Sequence, residues 1–235
     1  MLTYQTFTIE EEIIHHLMLQ TALIKRNGLL YGKLGISLAF FEWGCNWDNP
    51  IYTDFAKELK NSVCKKIEDQ TPLDFATGLS GVGWGLEYMA LKQLTDNISN
   101  EICCTIDQKI MLLNMQRITN FSFETGLEGF LHYILIRIKV SEMRKTPNPF
   151  DEDFLTDIYC KLQSLAENIM PSSLEQAFIL YMETGLLNYN PDISLFTNNI
   201  EIKSIEDIQS AKLGLADGLA GNLLRIINEQ KSFKS

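Results

Sequence analysis

GLADGLAGNLLRII, residues 214–227, sets three glycines and two alanines around Asp217 and then runs straight into leucines and isoleucines. Glycine costs about 1 kcal/mol relative to alanine inside a helix, so its place at the head of an apolar, helix-like run needs a reason. The same wording recurs upstream as YGKLGISLAFFEWG from Tyr31, TGLSGVGWGLEYM from Thr77 and TGLEGFLHYILIRI from Thr125. Each is a G-x-x-G followed by apolar residues. The leading glycines, Gly32, Gly78, Gly126 and Gly218, stand 46, 48 and 92 residues apart, and the last interval is twice 46.

The doubled interval asks for a further repeat near position 172, where SSLEQAFILYM aligns Ser172, Ser173, Glu175 and Gln176 with Thr125, Gly126, Glu128 and Gly129. Both glycines are replaced there. T-x-x-E at Thr125 and S-x-x-E at Ser172 both read as capping boxes, the reciprocal hydrogen bonding that opens a helix. Five repeats follow, with leading positions at 32, 78, 126, 173 and 218.

A period near 46 residues accommodates two helices and their turns. Between the apolar helices lie amphipathic candidates. FTIEEEIIHHLMLQTALIK from Phe7 carries a capping box, Thr8 with Glu11, and TDFAKELKNSVCKKI, ISNEICCTIDQKIMLLNM and DEDFLTDIYCKLQSLAENI have similar polar faces. Pro50, Pro72, Pro147, Pro149, Pro171 and Pro191 fall between predicted helices. No segment alternates apolar and polar residues as a strand does. The reading is an all-α chain, residues 1–235 as one domain, with apolar inner and amphipathic outer helices. An open solenoid of HEAT or armadillo type has similar periods and stands as the alternative.

Glycines at i and i+3 share one face of the first turn and let neighbouring backbones approach closely. The helix heads then crowd around one mouth. The expected mouth residues are Tyr31, Gly32, Gly35, Thr77, Gly78, Gly81, Trp84, Thr125, Gly126, Gly129, Ser172, Asp217, Gly218 and Gly221. Free N–H groups and positive dipole ends at those heads would suit a carboxylate or another anion.

Tandem G-x-x-G at helix heads, with GLAG at 218–221 and GVGWGLEYM at 81–89, resembles the lanthionine synthetase C-like family. The resemblance spans nearly the whole chain through its repeats. It implies an α/α toroid of two concentric helix rings that binds zinc at its mouth and adds cysteine thiols to dehydrated Ser and Thr of precursor peptides. Five repeats are fewer than the family's seven, so the ring closes with fewer members or remains an open arc, whose edge would invite a second copy of the chain. The family's three zinc ligands map to Pro171, Ala216 and Asp217, none of which is Cys or His. The resemblance therefore implies a shortened, degenerate member of bacterial peptide modification, without the zinc cofactor. Such a pseudoenzyme would bind a peptide substrate or a modifying enzyme.

Candidate chemistry is sparse. Asp217, His132 and Glu124 are the catalytic candidates, yet Asp217 shares its repeat position with Thr77, Thr125 and Ser172, all favoured N-caps. His132 has apolar neighbours and no second ligand at metal spacing, and the adjacent His15 and His16 point in different directions on a helix. Cys103 and Cys104 fall on an outer helix; with Cys45, Cys64 and Cys160 they read as reduced structural thiols. Trp43, Trp47, Trp84 and Tyr88 suit core packing or a groove for apolar side chains. Carboxylates at Asp74, Glu124, Glu128, Glu175 and Asp217 leave open an acid/base enzyme, alongside a cyclase borrowing its partner's metal and a purely structural scaffold.

A net charge of −10 argues against nucleic acid, which needs clustered Lys and Arg. No stretch reaches the roughly 18 apolar residues of a membrane span, and the acidic N-terminal segment does not fit a signal peptide. The cytoplasm is the expected location.

Overall fold

The computed structural model describes residues 7–68, 70–95, 100–166 and 170–232, which form ten α-helices and no β-strand. In chain order these are α1 (Ile9–Gln20), α2 (Lys33–Asn46), α3 (Pro50–Cys64), α4 (Leu79–Leu91), α5 (Asn100–Met111), α6 (Leu127–Arg144), α7 (Glu152–Ala166), α8 (Ser173–Thr184), α9 (Ile205–Ser210) and α10 (Leu219–Ser232). The first six residues, part of the signal-peptide argument, lie outside the described residues. Among the described residues no helix is long and apolar enough to cross a membrane.

Two compact units partition the helices, one from Met1–Lys66 with Asp192–Ser235 and the other from Ile67–Pro191. In the first, α2 packs on α3 and α10, and α1 packs on α9 and α10. Phe40 of α2 meets Phe55 of α3 edge to face at 4.8 Å, while buried Ser37 donates to the Ala56 carbonyl at 2.7 Å. In the second, α6 packs on α4 and α8, α5 on α4, and α7 on α8.

The two helix types differ in burial as their sequences dictate. Eleven of the thirteen residues of α4 are buried, against three of fifteen in α3 and four of fifteen in α7. α4 is thus interior on nearly all sides, and the amphipathic helices bury a single stripe. Gly83 lies inside α4 because any Cβ there would strike the Tyr133 ring of α6.

The caps differ from the sequence reading in one respect. Thr8–Glu11 and Ser172–Glu175 form complete capping boxes. Thr125–Glu128 does not: the N-cap of α6 is Gly126, without a side-chain cap, and Thr125 lies one residue outside the helix. Gly32 and Gly78 cap α2 and α4 in the same way. Ser172 therefore corresponds to the leading glycines themselves, which moves the fourth leading position from 173 to 172. Pro50 does not fall between helices either. It opens α3 behind the Asn49 cap, where its missing N–H leaves nothing unsatisfied.

Candidate functional site

Each G-x-x-G head is closed by its own preceding loop. The first helical N–H donates to a carbonyl seven residues upstream in all four: Lys33 to Arg26 at 3.0 Å, Leu79 to Pro72 at 2.8 Å, Leu127 to Asn120 at 2.9 Å and Leu219 to Lys212 at 2.9 Å. The second N–H continues the pattern from Ser80 to Leu73 and from Ala220 to Leu213, both at 3.3 Å. The chain itself thus takes up the first N–H of each head, and the second in α4 and α10, leaving fewer donors for an anion than a bare helix start would.

This loop also explains the glycines. A Cβ on Gly32, Gly78, Gly126 or Gly218 would collide with backbone four to six residues upstream, and one on Gly35, Gly129 or Gly221 with the carbonyl six residues upstream. Close approach is the reason, as expected, but mainly to the chain's own loop rather than to a neighbouring helix. A neighbouring head enters at the second glycine: a Cβ on Gly35 would lie 2.8 Å from the Leu215 Cβ, and one on Gly129 would lie 2.6 Å from the Phe75 Cβ.

Heads are also paired through the main chain. Leu215 and Ala216 both donate to the Leu30 carbonyl, at 2.7 and 3.1 Å, and Phe75 and Ala76 both donate to the Glu124 carbonyl, at 3.0 Å each. In repeat coordinates the two pairings are the same, with the fifth head related to the first as the second is to the third.

Within the first unit the paired heads border a cavity of about 450 Å³ lined by Arg26, Tyr31, Lys212 and Asp217 with Ile24, Leu213 and Gly214. Asp217 precedes the first turn of α10, and Gly218 takes the cap position, so Asp217 is not the N-cap expected from its sequence. Its Oδ2 pairs with the Lys212 ammonium, while Oδ1 is buried without a hydrogen-bond partner.

The second unit holds the remaining head residues. Thr77 is exposed and turned onto Asp74, whose Oδ1 accepts from the Thr77 N–H at 2.7 Å and hydroxyl at 3.1 Å. Thr125 Oγ1 accepts from the Asn120 amide at 2.9 Å and lies 3.1 Å from the Ser122 hydroxyl. Gly81 is buried in α4, and Glu124 has an exposed side chain. Burial first, and the Glu175 carboxylate next, raise the Glu128 pKa.

Trp84, expected at the mouth, lies in the core, and His132 packs there as its apolar neighbours suggest. Trp84 has no exposed surface and donates its indole N–H to the Tyr189 hydroxyl at 2.9 Å. The same hydroxyl lies 3.0 Å from His132 Nδ1. An indole N–H only donates, so the Tyr189 oxygen accepts from it. The His132 imidazole is neutral at physiological pH. Burial holds its pKa down to about 4, and the Phe75 and Phe123 rings flank it with centroids 5.7 and 5.5 Å away. His132 is a packed histidine.

A buried charge network escaped the sequence reading. Arg137 of α6 donates to Glu87 of α4 at 2.5 Å and grips both Asp107 oxygens, Nη2 reaching Oδ2 at 2.5 Å. Tyr133 donates to Asp107 at 2.6 Å, and Arg144 to the second Glu87 oxygen at 2.9 Å. Charged residues inside otherwise apolar helices, Glu87 in GLEYM and Arg137 in ILIRI, are the signal that was available. Among the described residues no three His, Cys, Asp or Glu side chains converge as metal ligands would.

No protein-family model matches the chain, and no curated protein matches it.

Proposed function

We propose that the chain is a lanthionine synthetase C-like α/α repeat protein, its repeats in cyclic order, that binds a peptide or a modifying enzyme without zinc-dependent cyclisation. The observation that carries this reading is the equivalence of head pairs. In a linear solenoid the last repeat has no successor, whereas here the fifth head gives its two N–H groups to Leu30 of the first as the second gives them to Glu124 of the third. Such an order favours an α/α toroid over the open solenoid.

The chemistry at the heads supports binding over catalysis. Tyr31, Thr77, Thr125, Ser172 and Asp217 precede or cap the inner helices, and none is a thiol or imidazole that zinc would take as a ligand. Asp217 is held by Lys212, and His132, the histidine of the inner helix α6, is packed against Tyr189 in the core. The cavity beside Tyr31 and Asp217 provides the binding surface, with Arg26 and Lys212 rather than helix N–H groups favouring a carboxylate of the peptide.

Zinc content of the purified protein, together with incubation with a dehydrated peptide bearing a free cysteine, tests the proposal. It expects well under one zinc per chain and no thioether, with peptide binding weakened by Lys212→Ala. About one tightly held zinc per chain, or ring closure in the peptide, would overturn it.

A further inference from the structure

A second cavity, of about 400 Å³, opens within the first unit between the first turn of α1 and the final turns of α2 and α10. Trp43 and Gln230 line it, ten and eleven residues beyond the starts of their helices. At 1.5 Å per residue this is about 15 Å along each helix from the heads. It is therefore a site separate from the head cavity.

Trp43, Trp47 and Tyr52 give it aromatic walls, and its charged lining residues, Glu10 and Glu11, are both acidic. The Trp43 and Trp47 rings lie 5.8 Å apart and are tilted by 48°, with Tyr52 beside them and Glu10 and Glu11 at the edge. No lysine or arginine lines it, and neighbouring Lys231 is engaged by Glu42 at 3.3 Å. Trp47 is half exposed, so its ring is accessible to a ligand. In the wall, the Gln230 Oε1 is buried without a hydrogen-bond partner.

We propose that this cavity binds a basic side chain, arginine or lysine, of a peptide. A cation over tryptophan faces is attracted by the ring quadrupole, and the aliphatic stem of either residue suits the apolar walls. The charge of the bound side chain is balanced by Glu10 and Glu11 at the edge. An acidic or phosphorylated ligand meets two carboxylates instead. The proposal does not depend on the head cavity or on the resemblance to peptide-modifying proteins.

The test follows the indole N–H resonances of the full chain by NMR while N-acetyl-arginine methylamide, N-acetyl-lysine methylamide or the neutral N-acetyl-norleucine methylamide is added. Saturable shifts of the Trp43 and Trp47 signals by a basic probe, with the Trp84 signal unmoved, are expected. Affinity falls about fivefold in Trp47→Leu and also falls in Glu10→Gln and in high salt. A response to one basic probe alone identifies guanidinium or ammonium as the preferred cation. Equal shifts by the neutral probe, no shift with either basic probe at ~20 mM, a range that captures millimolar affinities, or unchanged binding in folded Trp47→Leu would overturn the proposal.

Discussion

Leu215 donates its backbone N–H to the carbonyl of Leu30 at 2.7 Å, although most of the chain separates them, and Phe75 makes the corresponding bond to Glu124 at 3.0 Å. The link is made entirely by main chain. Any side chain that keeps the head loop in shape supports it, and what shapes the loop is glycine.

Gly35→Ala and Gly129→Ala are therefore expected to destabilise by about 3 kcal/mol each, despite the roughly 1 kcal/mol that alanine contributes in a helix. The new methyl meets a fixed carbonyl, of Leu29 or Phe123, as well as a neighbouring side chain. Gly185→Ala is the control: that glycine has φ of 72° and nothing within 4 Å, so the cost is about 1 kcal/mol from backbone strain alone. Urea unfolding of the three variants measures the difference.

His132 gives a pH dependence of known sign. Its pKa is about 4 in the folded chain and 6.5 in the unfolded one, so between these values the unfolded state binds more protons. Its contribution to stability is complete above 6.5 and diminishes as the pH falls towards 4, by at most about 3 kcal/mol. Unfolding free energies of the wild type and His132→Phe across this range should diverge in slope, the variant losing less stability on acidification.

Arg137 neutralises two carboxylates that burial would otherwise penalise. Arg137→Met leaves Asp107 buried with only Tyr133 and is expected to cost about 3–5 kcal/mol. Adding Asp107→Leu should recover part of that loss, since an apolar pair replaces a broken ionic one. A double-mutant cycle by denaturant unfolding reads the coupling; simple additivity would contradict the geometry.

The cysteines should separate by alkylation rate. Cys104 and Cys160 are exposed and label first. Cys45 is also exposed, but burial of its thiol and, next, Glu42 raise its pKa, so it follows. Cys103 is buried, and its pKa is pushed well above the usual thiol value by burial first and Glu87 next; it labels only on unfolding. Mass spectrometry after timed iodoacetamide treatment gives the order.

Periodicity and caps were legible because they depend on local interactions. The spacing of the glycines located five helix starts, and the capping boxes at Thr8 and Ser172 formed as read. Thr125 misled because T-x-x-E describes which bonds are available, whereas the loop carbonyl of Asn120 reached the first helical N–H instead. Trp84 was placed near a mouth by its distance from the glycines, whereas His132 packs as its apolar neighbours suggested. Which side of a wholly buried helix faces a neighbour is set by packing, and Tyr189, far along the chain, determined it.

The sequence by itself determined an all-α chain of alternating interior and amphipathic helices, since hydrophobic period, glycine spacing and N-caps act within a few residues. Tertiary structure decided what those elements meet. The pairing of Leu215 with Leu30 is made by backbone groups that every residue carries, and the Arg137 network joins three helices whose charged residues look unrelated in sequence. Both depend on long-range contacts, for which local pattern holds no record.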